Sequence, residues 1–222
     1  MNTNPTFPLN TYYNRIMKRL FVSLCCTLLA FTAFSQTPQE IIDSMDEAMS
    51  KHENEGVVMT IDIKMPIIGT MSTKSYMLGD KMRMEATMLG ETITTWSDGA
   101  TDWTYNSKKQ EIEITHSDGS TQEESGDTEM FHGITDGYDV SLKKETADAW
   151  HIQCKKSKDN KEKDDPKNID LVIAKGSYYP ISLTTKMKGV TLTMYDISFG
   201  VTESQVTFNP SDYPNATIVD KR

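Results

Sequence analysis

His52, His116, His132 and His151 are the side chains best able to hold a metal ion or move a proton, and their spacing suits neither task. They are scattered along the chain, without the short intervals that bring two or three ligands onto one metal. His151 and Cys154 are three residues apart, so in a strand they face opposite sides and form no nucleophile–base pair. Glu123, Glu124, Asp127 and Glu129 crowd together, yet they do not follow the ligand pattern of a calcium loop. The sequence also lacks a glycine-rich phosphate cradle and a nucleophile elbow. A non-enzyme without metal or cofactor is therefore expected. The chemistry that remains is the binding of apolar matter.

Methionine is the residue type that points there. Twelve of the fourteen methionines follow residue 35, and they concentrate between Met45 and Met88. The side chain is flexible and polarizable, which suits surfaces that accept apolar partners of varied shape. Core filling between a helix and a sheet is the competing explanation for any single one of them. Met59, Ile61 and Ile63 alternate with polar residues, as do Met82, Met84 and Met88, so each set shares one face of a strand. Trp103 and Tyr105, two apart behind the Asp98-Gly99 turn, likewise share a face, and either line a cavity or pack beside the turn.

These residues need elements to hold them. Thr37-Pro38-Gln39-Glu40 has the form of a capping box with proline at the first helical position. Ile41, Ile42, Met45, Ala48 and Met49 then fall on one helical stripe, predicting a helix from Thr37 to about His52. From Gly56 the period becomes two. Strands are expected over Val57–Met65, to about Leu78, over Met82–Met88, Thr92–Ser97, the Trp103/Tyr105 segment and Glu111–His116. An acidic loop over 117–129 and a short helix over Met130–Asp136 are predicted next. Tyr138–Leu142 and Trp150–Cys154 resume the alternation. Lys155–Asn168 reads as a charged linker that does not pack. Ile169–Ala174, Ile181–Lys186 and Val190–Phe199 complete the strands, followed by an extended tail through Val219. One apolar helical stripe and a set of apolar strand faces can each be buried only by the other. The fold class expected is thus mainly β, a curved antiparallel sheet with a helix across its concave face.

The N-terminal segment has an exit signature. Arg15, Lys18 and Arg19 precede the apolar run Leu20–Phe34, and Ala33-Phe34-Ser35 offers small residues at the cleavage positions, so 1–35 is expected to be a signal peptide and 36–222 one domain. Met17 followed by Lys18-Arg19 is itself a natural start, which would make 1–16 an extension. Lipidation at Cys25 or Cys26 is disfavoured by Leu24, where a small residue is wanted, so soluble export to the periplasm is expected. The net charge is −9, and the leader carries no acidic residue, so its removal leaves a still more acidic chain. Binding to nucleic acid or to anionic lipid surfaces by bulk electrostatics is not expected. Only Cys154 lies beyond the leader, so no intrachain disulfide is expected there.

Ser97-Asp98-Gly99, three spacers and Trp103-Thr104-Tyr105-Asn106 resemble a segment of the LolA family of periplasmic lipoprotein carriers. Val206-Thr207-Phe208-Asn209-Pro210, followed by Ala216-Thr217-Ile218-Val219-Asp220, is similar to that family's closing Phe-x-x-Pro and last strand. The resemblance implies an incomplete β-barrel of ten or eleven strands whose concave side holds acyl chains. With the methionine pattern it names the candidate cavity residues: Met45, Met49, Met59, Ile61, Ile63, Met82, Met84, Met88, Trp103 and Tyr105. It further implies a monomeric carrier of lipoprotein acyl chains or other lipid, acting in outer-membrane lipoprotein sorting between membrane donor and acceptor proteins. Carriers of this family place an Arg-Pro pair ahead of the strand holding Met82. Here that turn is Leu78-Gly79-Asp80-Lys81, and Arg83 lies within the strand, which favours a relative that binds other lipids. The alternative expectation is an exported lipid-sensing or protein-interaction module on the same fold. A hydrolase ranks far below both.

Overall fold

The computed structural model describes residues 36–88, 90–117 and 131–222. The expected leader, Leu89, Met130 and the acidic loop beyond Ser117 lie outside the described residues. Helix α1 spans Pro38–Ser50. Thr37 Oγ1 accepts from the Glu40 amide at 3.2 Å while the Thr37 amide donates to Glu40 Oε2 at 2.7 Å, closing the capping box. Its stripe, Ile41, Ile42, Met45, Ala48 and Met49, is buried.

Among the described residues twelve strands follow: β1 (Val57–Met65), β2 (Gly69–Leu78), β3 (Lys81–Met88), β4 (Glu91–Ser97), β5 (Thr101–Asn106), β6 (Glu111–His116), β7 (Tyr138–Glu145), β8 (Ala149–Lys156), β9 (Asn168–Ala174), β10 (Pro180–Met187), β11 (Val190–Phe199) and β12 (Thr217–Asp220), with the single-turn helix α2 (Glu203–Val206) before β12. They form one curved sheet that does not close. The order is β12-β6-β5-β4-β3-β2-β1-β11-β10-β9-β8-β7, two meanders joined where β1 meets β11. Hairpin turns set the register. At Asp98-Gly99, Gly99 takes φ 88° and Asp98 Oδ1 accepts from the amides of Ala100 and Thr101 at 3.0 and 2.8 Å. Gly56 serves a close approach instead, since a Cβ there would stand 2.6 Å from the Met77 carbonyl oxygen and 2.7 Å from Val201 Cβ.

Register decides which face each residue occupies. Val57, Met59 and Ile61 share a face with Met194, Leu183, Leu171 and Ile152 across the meander, and that face meets α1 in the main core. Followed the other way, the same face carries Met77, Ser75 and Thr73, then Met82, Met84 and Ala86, and turns polar at Asp102, Thr104 and Glu113. Ser97 and Thr95 on it hydrogen-bond with Asp102 and Thr104 at 2.5 and 3.3 Å. The opposite face is apolar where this one is polar. Trp96, Trp103, Tyr105, Ile112 and Ile114 lie there, and the segment after α2 brings Phe208 and Tyr213 onto them.

The sequence expectations differ from this in three places. The expected closing strand is present as Thr217–Asp220, but it pairs with β6 in parallel, an exception to the antiparallel pairing of the other strands. Of the expected helix over Met130–Asp136, the described part opens with Phe131 in a 3-10 turn and continues as successive turns through Gly137, with Gly133 and Gly137 at φ 62° and 76°. The charged stretch between β8 and β9 does pack. Pro166 O accepts from Tyr138 Oη at 3.0 Å, and Asn160 Nδ2 donates to Asp165 Oδ2 at 2.8 Å.

Candidate functional site

A cavity of about 520 Å³ opens on the face that carries α1, over β9, β10 and β11. Its floor consists of alternate residues from these three strands. Leu183 pairs with Met194, and Thr185 pairs with Ile169 on one side and Leu192 on the other, so two adjacent rows of one pleated surface line it. Met187 continues β10 to the rim. The roof is the turn segment Phe131–Gly137, which contributes Phe131 and Ile134, together with Tyr138, Asp165 and Pro166. The lining is mainly apolar, with Asp136 and Asp165 as its ionisable carboxylates. Burial raises the Tyr138 phenol above its ordinary pKa, helped by the negative charge of Asp165, so its hydroxyl stays a donor to Pro166.

The roof is tied down on two sides. His132 Nδ1 stands 2.5 Å from Asp46 Oδ1 and His132 Nε2 stands 3.8 Å from Glu53 Oε1, linking the turns to α1 and its C-terminal turn. The Ser157 amide donates to Gly137 O at 2.9 Å, and a Cβ on Gly137 would meet Asn160 Nδ2 at 2.8 Å. Glycine at that position lets the roof and the β8–β9 connection touch. Beyond the end of α1, His52 stacks on Phe199 at 4.1 Å and its Nε2 lies 2.6 Å from Tyr179 Oη.

The expected cavity residues fall in three groups. Met45, Met49 and Met59 are wholly buried in the core between α1 and the sheet. Ile61 pairs with Met194 and Ile63 with Leu192, so they extend the two floor rows onto β1 without lining the cavity itself. Met82, Met84 and Met88 lie on the same face but two strands further on, with Met82 buried and Met88 44% exposed. Trp103 and Tyr105 stand on the opposite face. Trp103 stacks on Phe208 at 5.6 Å and Tyr105 contacts Tyr213 at 4.4 Å, so both belong to the second apolar layer. Their common face was legible from the spacing, but which face depends on a register carried across five strands. Leu183, Met187, Leu192 and Met194 went unnamed, although the alternation Leu183/Thr185/Met187 and Val190/Leu192/Met194 was present to be read. Among the described residues no cluster of three or more His, Cys, Asp or Glu is placed to hold a metal ion.

Fold and cavity together define a mainly β protein built on an open curved sheet with an apolar hollow beside helix α1. Several solved structures are similar to it. An uncharacterized conserved protein from Thermus thermophilus is 18% identical over 82% of this chain and 98% of its own, with a TM-score of 0.45. The Mycobacterium tuberculosis lipoprotein LppX is 12% identical over 74% of this chain and 97% of its own, at a TM-score of 0.49. A LolA superfamily protein from Nitrosomonas europaea is 10% identical over 80% of this chain and 100% of its own, at 0.31. At these identities the likeness is one of fold. No protein-family model and no curated protein matches the chain.

Proposed function

We propose that this protein is an exported binder of acyl chains, which carries the apolar part of a lipid or of a lipoprotein out of contact with water. The observation that carries the proposal is the open cavity floored by Ile169, Leu183, Leu192 and Met194 and roofed by Phe131 and Ile134. Its volume lies within the range of small-ligand sites, about 300–1,000 Å³. Each methylene removed from water contributes about 0.8 kcal/mol, so a partly inserted chain gives useful affinity without any polar anchor. Asp136 and Asp165 among the lining residues favour ligands whose head group is neutral or cationic at that position, and disfavour a free carboxylate. In this reading the leader directs the chain to the periplasm, and the carrier works as a monomer between membrane donors and acceptors.

The test is titration of the purified protein with a fluorescent, neutral long-chain lipid probe. Met194→Glu places a carboxylate in the floor, where an unpaired charge is costly. Binding is expected to weaken about tenfold or more, with thermal unfolding measured alongside to separate lost affinity from lost fold. A parent that does not bind the probe, or a folded Met194→Glu that binds it as tightly as the parent, would refute the reading.

A further inference from the structure

The turn between β1 and β2 is Pro66-Ile67-Ile68-Gly69, and its two isoleucines are 98% and 67% exposed. Hairpin tips are normally polar, because turn residues meet water. Two neighbouring β-branched apolar side chains held almost wholly in solvent are the unusual observation. A second tip stands beside this one. The β10–β11 turn has Lys188 at φ 48° and Gly189 at φ 88°, and a Cβ on Gly189 would lie 4.0 Å from Pro66 Cγ. Met187, which leads into that turn, is 41% exposed and also lines the cavity rim. Met187 thus sets the rim of the cavity beside this pair of tips.

The charges behind the tips are basic. Lys64 pairs in register with Thr191 of β11, and Thr191 with Lys186 of β10. Two strand spacings separate Lys64 from Lys186, about 10 Å, and both are exposed on the face away from α1. Neither has an ion-pair partner within 4.0 Å among the described residues, whereas Lys188 meets Asp164 at 3.1 Å. Cations without an ion pair, on long apolar stems a few residues behind the tips, are out of keeping with a chain of net charge −9, with Asp62 the nearest carboxylate in register on their face.

We infer that this end of the sheet docks on an anionic bilayer, with Ile67 and Ile68 entering the acyl region and Lys64 and Lys186 resting at the phosphate level. A projecting tip suits penetration better than it suits a flat protein interface, and the lysine stems can snorkel to the head groups as the isoleucines go deeper. The overall negative charge opposes the approach, so the contact is reversible and salt-sensitive. Docking in this pose would bring Met187 and the cavity mouth to the lipid surface. The docking stands on the tip alone; only its purpose, loading or unloading of the cavity, rests on the acyl-chain reading above.

Flotation with vesicles tests it, using protein expressed as the full chain and isolated from the exported fraction, so that parent and variants share one N-terminus. The parent is expected to float with vesicles rich in phosphatidylglycerol and less with phosphatidylcholine alone. Ile67→Asp with Ile68→Asp should reduce flotation about tenfold or more on both. Lys64→Glu and Lys186→Glu should each cost about fivefold on the anionic vesicles only. Ile218→Asp, at a 55% exposed position on edge strand β12, should change nothing. All these sites are exposed, so unfolding midpoints should stay put. A parent that ignores both vesicle types, or isoleucine variants that float like the parent, would overturn the inference. So would sedimentation showing that the isoleucines hold two copies of the chain together while vesicles are ignored. Probe binding should survive the isoleucine changes. If the parent floats but binds no probe, the acyl-chain reading falls and the docking remains.

Discussion

Cys154 is wholly buried on β8, between Ile169 of β9 and Val140 of β7. Burial pushes its thiol pKa up to about 11, with the negative charge of Asp170 adding to the effect. The unfolded chain binds fewer protons at this thiol than the native one between the ordinary thiol value and about 11, so native stability falls as pH rises through that window. Below it the contribution is fully present. Chemical denaturation at a series of alkaline pH values should show this slope in the parent and a shallower one in Cys154→Ala, even though the variant starts less stable from its lost packing. A native thiol reagent should label Cys154 only as fast as the sheet opens. Arg83 illustrates the same dependence on placement. It lies over Tyr76 and Trp96, at 5.4 and 5.6 Å from the ring centres, on the face opposite α1. It therefore braces the second apolar layer and makes no latch over the cavity.

At the level of elements, α1 depends on a device contained in four consecutive residues. Thr37→Ala removes the acceptor for the Glu40 amide and frees the reciprocal Glu40 side chain, and should cost about 1 kcal/mol by denaturant melt. Glu40→Gln, which can still reach the Thr37 amide, should cost less. Such local devices were readable in advance, as were the alternating strands and the Asp98-Gly99 hairpin, because each is decided within a few residues. The cavity was not. Its roof, Phe131–Gly137, has no periodicity, and its fold depends on Asp46, 86 residues from His132, and on Asn160, 23 residues from Gly137. The run between β8 and β9 looked unpacked because composition alone makes eight or so charged residues a solvated loop. Its packing depends on single contacts, Pro166 O with Tyr138 and Asn160 with Asp165, that composition does not register.

At the scale of the whole molecule, one sheet carries two apolar layers on opposite faces. The first joins α1 to β1 and β7–β11; the second joins β4–β6 to Phe208 and Tyr213. Between them, at β2 and β3, the inner face is only partly apolar: Thr73 and Ser75 are buried beside Met77 and Met82. Among the described residues no apolar side chain is common to both clusters, so their energies should be nearly independent. Phe208→Ala should cost roughly 2 kcal/mol, less than the 3–5 typical of a fully buried phenylalanine because Phe208 is half-buried. Met45→Ala, at a wholly buried site under α1, should cost about 2–5 kcal/mol. The double variant should lose the sum to within about 0.5 kcal/mol in denaturant melts. The probe should separate the layers as well. Phe208→Ala leaves acyl-chain binding intact while shifting the fluorescence of Trp96 and Trp103, whereas Met45→Ala disturbs binding by loosening the helix to which His132 ties the roof. A coupling above about 1 kcal/mol would mean that the sheet passes strain from one face to the other. In that case the second layer would be a means of shaping the cavity from behind.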